Sequence, residues 1–219
     1  MSDEALIPVT EIPGQVQRWD EKSFTSLVTA TGYLPRLQLQ TANSKPCKAG
    51  TFPVNHYAIV KDKTLRDIGL TVDVLIIAWR PKALEMGEAV IAAYDPEDAE
   101  FKRIAEKSEI KDSGCMYGPE FLVWVPALSQ FALFYMGNKS ARRESPNMVA
   151  RLYKGATLKS KHIETKQYDW YAPCVTPCTT PFEVPSKEDI AEQVEKFNNP
   201  PKTEVETATE EDETKERPR

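Results

Sequence analysis

The chain has 219 residues, of which 41% are hydrophobic, and a formal net charge of −5 at pH 7. That length suits one domain with appendages. No apolar run is long enough for a membrane-spanning helix, and the longest, around Val74–Trp79, fits a strand. The modest net charge conceals a sorted distribution. Residues 138–166 hold eight bases (Lys139, Arg142, Arg143, Arg151, Lys154, Lys159, Lys161, Lys166) against two acids, a net of +6. Residues 186–219 hold eleven acids against six bases, a net of −5. A basic block of this kind calls for an anionic partner or counterions, and an acidic tail can compete with that partner or attract basic proteins.

The N-terminal MSDEALIPVTEIPGQ is acidic and lacks the basic and apolar regions of a secretory leader, so a cytoplasmic chain is expected. Its four cysteines (Cys47, Cys115, Cys174, Cys178) are then expected to be reduced thiols. Residues 19–31 are predicted as a short helix with Phe24, Leu27 and Val28 on one face. In YLPRLQLQT (33–41), Leu37 and Leu39 alternate with polar residues, the pattern of a half-buried strand. Residues 43–53 have loop composition. HYAIV (56–60) reads as a strand, and VDVLIIAW (72–79), apolar on both faces, as a central one with EAVIAAY (88–94) as its partner.

Residues 96–110 are predicted helical, with Pro96 and acids at the start and Phe101, Ile104 and Ala105 sharing a face. DSGCMYGPE (112–120) reads as a loop, followed by strands FLVWVP (121–126) and QFALFYMG (130–137) joined tightly. The basic block begins as a helix after Gly137, with Ser145-Pro146 as a break or a fresh start. Strands follow at 156–165 and at YDWYAP (168–173). KEDIAEQVEKF (187–197) is an amphipathic helix with Ile190, Val194 and Phe197 on one side. Beyond Asn199 a single aliphatic residue larger than alanine, Val205, remains, and residues 200–219 are expected to be disordered. The organisation expected is a domain over 1–185, a helix over 186–199 and an acidic tail over 200–219. Many short strands between turn signals argue for a mainly β fold, a closed or sandwiched antiparallel sheet, and no glycine-rich βα turn supports a doubly wound fold.

Among chemical signals, the basic block is the strongest. Long cations along a helix and the following strand would meet successive phosphates, and alternation puts Lys159 and Lys161 on one strand face. The bland reading is a solvated surface. Aromatics interleave with these cations, and rings exposed on a sheet stack bases at about 1–3 kcal/mol each. Tyr57, Trp79 with Arg80 and Lys82, and one of Trp170 and Tyr171 are the expected exposed contacts, against the alternative of core packing. The cysteines could bind zinc only if Cys47 and Cys115 joined the CVTPC pair, so no cofactor is expected. Two histidines and no phosphate-loop, GxSxG or HExxH motif argue against an enzyme.

Three stretches carry a resemblance: VDVLIIAWRPKA (72–83), the run from FLVWVPALSQFALFYMG through the basic block to YDWYAPCVTPCTTPF (121–182), and TEVETATEEDETKE near the end. Together they cover about half the chain. In them the chain resembles the replicative single-stranded-DNA-binding proteins of tailed bacteriophages. The resemblance implies an OB-fold-like antiparallel barrel with inserted helices and a disordered acidic tail. It further implies non-catalytic coating of single-stranded DNA in replication, recombination or repair in the host cytoplasm, with replication proteins recruited through the tail. The DNA would run along Lys139, Arg142, Arg143, Arg151, Lys154, Lys159 and Lys161. The rival expectation is a phage assembly protein whose basic helix meets an acidic protein surface.

Overall fold

A computed structural model describes residues 34–199 except 62–63, 87–89, 95, 97 and 166–168. The expected helix over 19–31, Lys166 and the acidic segment 200–219 lie outside the described residues. The fold is mainly β. Its strands are β1 (Arg36–Leu39), β2 (Tyr57–Lys61), β3 (Thr64–Gly69), β4 (Thr71–Met86), β5 (Val90–Tyr94), β6 (Cys115–Val125), β7 (Gln130–Tyr135), β8 (Gly155–Glu164) and β9 (Asp169–Pro177). Five helices accompany them among the described residues: α1 (Lys45–Lys48), α2 (Ala99–Lys107), α3 (Lys139–Arg142), α4 (Ser145–Val149) and α5 (Lys187–Asn198).

The strands form one sheet in the order β3-β2-β1-β7-β6-β4-β8-β9, with β5 also paired to β4. Every pair is antiparallel except β1 with β7. The sheet curls strongly. Tyr57 on β2 donates its hydroxyl to the Lys159 carbonyl on β8 at 3.0 Å, although β1, β7, β6 and β4 lie between them in the order. The curl encloses the larger core, which gathers Leu37, Tyr57, Val74, Trp79, Phe121, Phe134 and Leu158. Closure stops short of a hydrogen-bonded barrel, which corrects the expectation of a closed antiparallel sheet. β3 and β9 remain as edges, and α3 and α4 pack against β9, whose Val175 N–H is accepted by the Glu144 carboxylate at 3.4 Å. An edge covered by helix needs no further strand.

The opposite face is covered by α5. The Ser186 hydroxyl caps this helix by accepting the Asp189 N–H at 3.0 Å. Ile190, Val194 and Phe197 fall one turn apart and bury themselves against Leu75, Ile77, Leu122 and Leu133. Each such side chain contributes about 1.5–3 kcal/mol by leaving water. The smaller helix α2 is capped by Asp98 and buries Phe101 and Ile104 beside Tyr117.

β4 is the spine. It pairs with β8 over Thr71–Leu75, with β5 over Ala83–Met86, and with β6 along most of its length. A bulge at Ile77 interrupts the β6 register. On the opposite edge of β4 the chain after α4 continues the β8 pairing, as Tyr153 N–H reaches Ile76 O at 2.6 Å. Pro81 sits where β8 has ended and β5 has not begun, so its missing N–H costs no ladder bond on that side.

Two local expectations are corrected, one strand was not anticipated, and one expected break is borne out. Residues 115–120 extend β6 instead of forming a loop, because Gly118 lets the backbone of Met136 approach; a Cβ there would lie 2.1 Å from Met136 O. β3 has no apolar alternation, since Thr64–Asp67 are exposed on both faces, so periodicity could not reveal it. Residues 45–48 make a helical turn inside the expected loop. The break expected at Ser145-Pro146 is borne out: α3 ends at Arg142, and Pro146 occupies the first turn of a separate α4.

Candidate nucleic-acid interface

Four of the residues expected to face a ligand, Tyr57, Trp79, Arg80 and Lys82, are interior. Tyr57 is fully buried, and burial pushes its phenol well above the ordinary range. Trp79 is buried and stacks on Phe121 at 6.1 Å. Arg80 is 2% exposed; its guanidinium lies 4.2 Å over the Phe197 ring and donates to the Phe197 carbonyl. These corrections share one cause. β4 and β2 lie inside the curl or beneath α5, so a ring at the end of an apolar run packs instead of projecting.

Arg80 and Lys82 instead share one carboxylate. Glu120 accepts from Arg80 Nε at 3.1 Å, Arg80 Nη2 at 2.7 Å and Lys82 Nζ at 2.7 Å. Burial alone would raise the Glu120 carboxyl, but Lys82 and Arg80 outweigh it and hold it at about 2. Lys82 shifts down because burial disfavours its charge; Glu120 opposes that shift, and Arg80 and Arg36 add to it. One anion therefore serves an excess of cations.

The basic block divides by role. Arg142 is a tether. Its guanidinium donates to Tyr117 O at 2.9 Å, to Ser108 Oγ at 3.2 Å and to the Glu109 carboxylate, which ties α3 to the segment after α2. Arg151 and Lys154 are half-buried in the turn that follows α4. Lys139, Arg143, Lys159 and Lys161 are exposed, with Lys139 3.5 Å from Glu109. Lys159 and Lys161 share a face of β8, as their alternation requires. Past Lys159 the β8 strand has lost β4 as a neighbour and pairs with β9 alone. The pair therefore forms a two-stranded arm carrying Lys161 and His162, whose ring is paired with Asp169.

Trp170 and Tyr171 open β9 and point to opposite faces, Trp170 opposite Ile163 and Tyr171 opposite His162. Both are half-buried. The Trp170 indole N–H donates to Ser140 Oγ at 3.0 Å, which seats it on α3. Both residues line a cleft of about 430 Å³, together with Thr41, Asn43, Asn138 and Lys139. A second cavity of about 280 Å³ shares Thr41, Asn138 and Tyr171 with it and reaches Lys82 and Arg36. The fold thus brings Lys82, Lys139, Trp170 and Tyr171 to two cavities that share Thr41, Asn138 and Tyr171. It leaves Lys159 and Lys161 on the exposed face of β8 and removes Tyr57, Trp79 and Arg80. Arg36, Gln38, Thr41 and Asn138 were missed; the polar alternation in RLQLQT placed the first two on one face but carried no hint of a cavity.

The four cysteines are unpaired. Among the described residues, no group of three or more histidine, cysteine or acidic side chains is placed to hold a metal ion. No described helix is long and apolar enough to cross a membrane. Comparison with protein-family models, with curated proteins and with solved structures finds no match to this chain.

Proposed function

We propose that this protein binds single-stranded DNA without sequence preference and coats it during phage replication, recombination or repair. The observation that carries the reading is the cleft at the start of β9. There Trp170 and Tyr171 line one cleft with Lys139, and the strand paired with β9 displays Lys159 and Lys161. Half-buried rings offer faces to unpaired bases, and the cations offer contacts to phosphates, the combination used by sequence-tolerant single-strand binders. The strongly curled sheet and its helical insertions are compatible with an OB-like architecture left partly open. The sequence resemblance points the same way.

Titration with a short oligothymidylate tests this. Trp170 fluorescence should be quenched, and the affinity should fall with salt. Four exposed cations (Lys139, Arg143, Lys159, Lys161) set a slope of log K against log salt of about −3, at about −0.7 per phosphate contact on single strands. Silence at low salt would overturn the proposal and favour a basic surface that docks on an acidic protein.

A further inference from the structure

We infer that the cavity where β1 and β7 part receives one nucleotide of the bound strand, its base against methionine and tyrosine side chains and its phosphate on Arg36. The inference rests on the DNA-binding reading above. β1 and β7 pair only through Arg36–Leu133 and Leu37–Phe134. Beyond that they diverge, one toward Thr41 and the other toward Asn138, and the gap between them is the cavity of about 280 Å³. Such a volume lies just under the range of about 300–1,000 Å³ typical of small-molecule pockets, so it suits a single nucleotide-sized group.

Its chemistry is two-sided. One wall is apolar and adaptable, made by Leu84, Met86, Met116 and Tyr135. Thioether side chains pack readily against flat rings. The other side carries charge. Glu120 is already shared by Arg80 and Lys82, and Arg36 stands close enough to Lys82 to disfavour its proton. Among the described residues, Arg36 makes no ion pair of its own. A half-buried guanidinium beside the Lys82 cation favours an incoming anion, and a phosphate matches its fork of donors. A planar apolar group joined to one phosphate satisfies both sides at once. The cavity adjoins the cleft: Thr41, Asn138 and Tyr171 line both, so a strand held in the cleft has its next base beside the cavity.

The five methionines supply the test. Met86 and Met116 line the cavity, whereas Met136 and Met148 are fully buried elsewhere. In full-length protein labelled with ¹³C at the methionine methyls, a short oligothymidylate should shift the Met86 and Met116 signals saturably and leave Met136 and Met148 in place. Thymidine 5′-monophosphate alone should produce the same shifts at higher concentration. Arg36→Gln should weaken oligothymidylate binding about tenfold, the size expected for one lost charge-assisted contact, and Arg36→Lys should restore part of it. If the oligonucleotide quenches tryptophan fluorescence while Met86 and Met116 stay still, the cavity is not occupied and the inference fails, although DNA binding stands. If neither tryptophan nor methionine responds at low salt, both readings fall together.

Discussion

Replacing Glu120 with glutamine tests the logic of the interior. The substitution keeps the shape but removes the charge that holds two buried cations. Arg80 is 2% exposed and Lys82 4% exposed, so neither can recover hydration without opening the sheet. Breaking a buried ion pair by removing one partner costs about 3–5 kcal/mol. The carboxyl supports the same size independently. It moves from an ordinary 4.5 to about 2 on folding, which corresponds to about 3 kcal/mol at about 1.4 kcal/mol per unit. Because the folded value is the lower one, this stabilisation is fully present above about pH 4.5 and is lost as pH falls toward about 2. Urea unfolding at neutral pH should therefore show Glu120→Gln destabilised by about 3 kcal/mol or more. The pH series should show the wild type losing its advantage over the variant across that acidic window. A combined Arg80→Met, Glu120→Leu, Lys82→Met variant should regain most of the loss, since apolar replacement of a buried charge cluster is often neutral. A Glu120→Gln deficit under about 1 kcal/mol, within the range of an exposed pair, would refute the reasoning.

Trp170→Ala should weaken oligothymidylate binding by about 1–3 kcal/mol, the value of one base stack. It should also remove the part of the quenching that Trp170 carries, because Trp79 is shielded in the core and Trp124 packs against Phe131 in the cluster beneath α5; undiminished quenching would place the ligand elsewhere. Replacing Lys159 and Lys161 together with alanine should flatten the salt slope by about 1.4, two contacts' worth, without changing urea stability. An unchanged slope would take that face of β8 out of the interface. Gly118→Ala should destabilise by about 1–3 kcal/mol, because its Cβ would meet a backbone carbonyl that cannot retreat. A neutral result by urea unfolding would contradict the close approach of β6 and the end of β7.

Much of the secondary structure was legible because its physics is local. VDVLIIAW, apolar on both faces, announced the central strand β4, and β6 and β7 followed from two apolar runs joined by a short connection. The spacing of Ile190, Val194 and Phe197 announced α5 and even its buried face. β3 escaped because a strand exposed on both faces has no apolar period to display. The start of β6 escaped because glycine and proline, read as a turn, here serve a close backbone approach.

The candidate site divides along the same line. By itself the sequence determined that cations cluster after Gly137, that Lys159 and Lys161 share a face, and that Trp170 and Tyr171 cannot. Those statements need only the two-residue period of a strand. The tertiary structure alone decided which charges and rings face outward. It buried Trp79 and Arg80, spent Arg142 on Glu109, and opened a cavity beside Arg36 where β1 and β7 part. Burial and divergence depend on contacts between strands distant in the chain. The Arg80 cluster joins Glu120 to the Phe197 carbonyl of α5, and no local pattern in the sequence records that meeting.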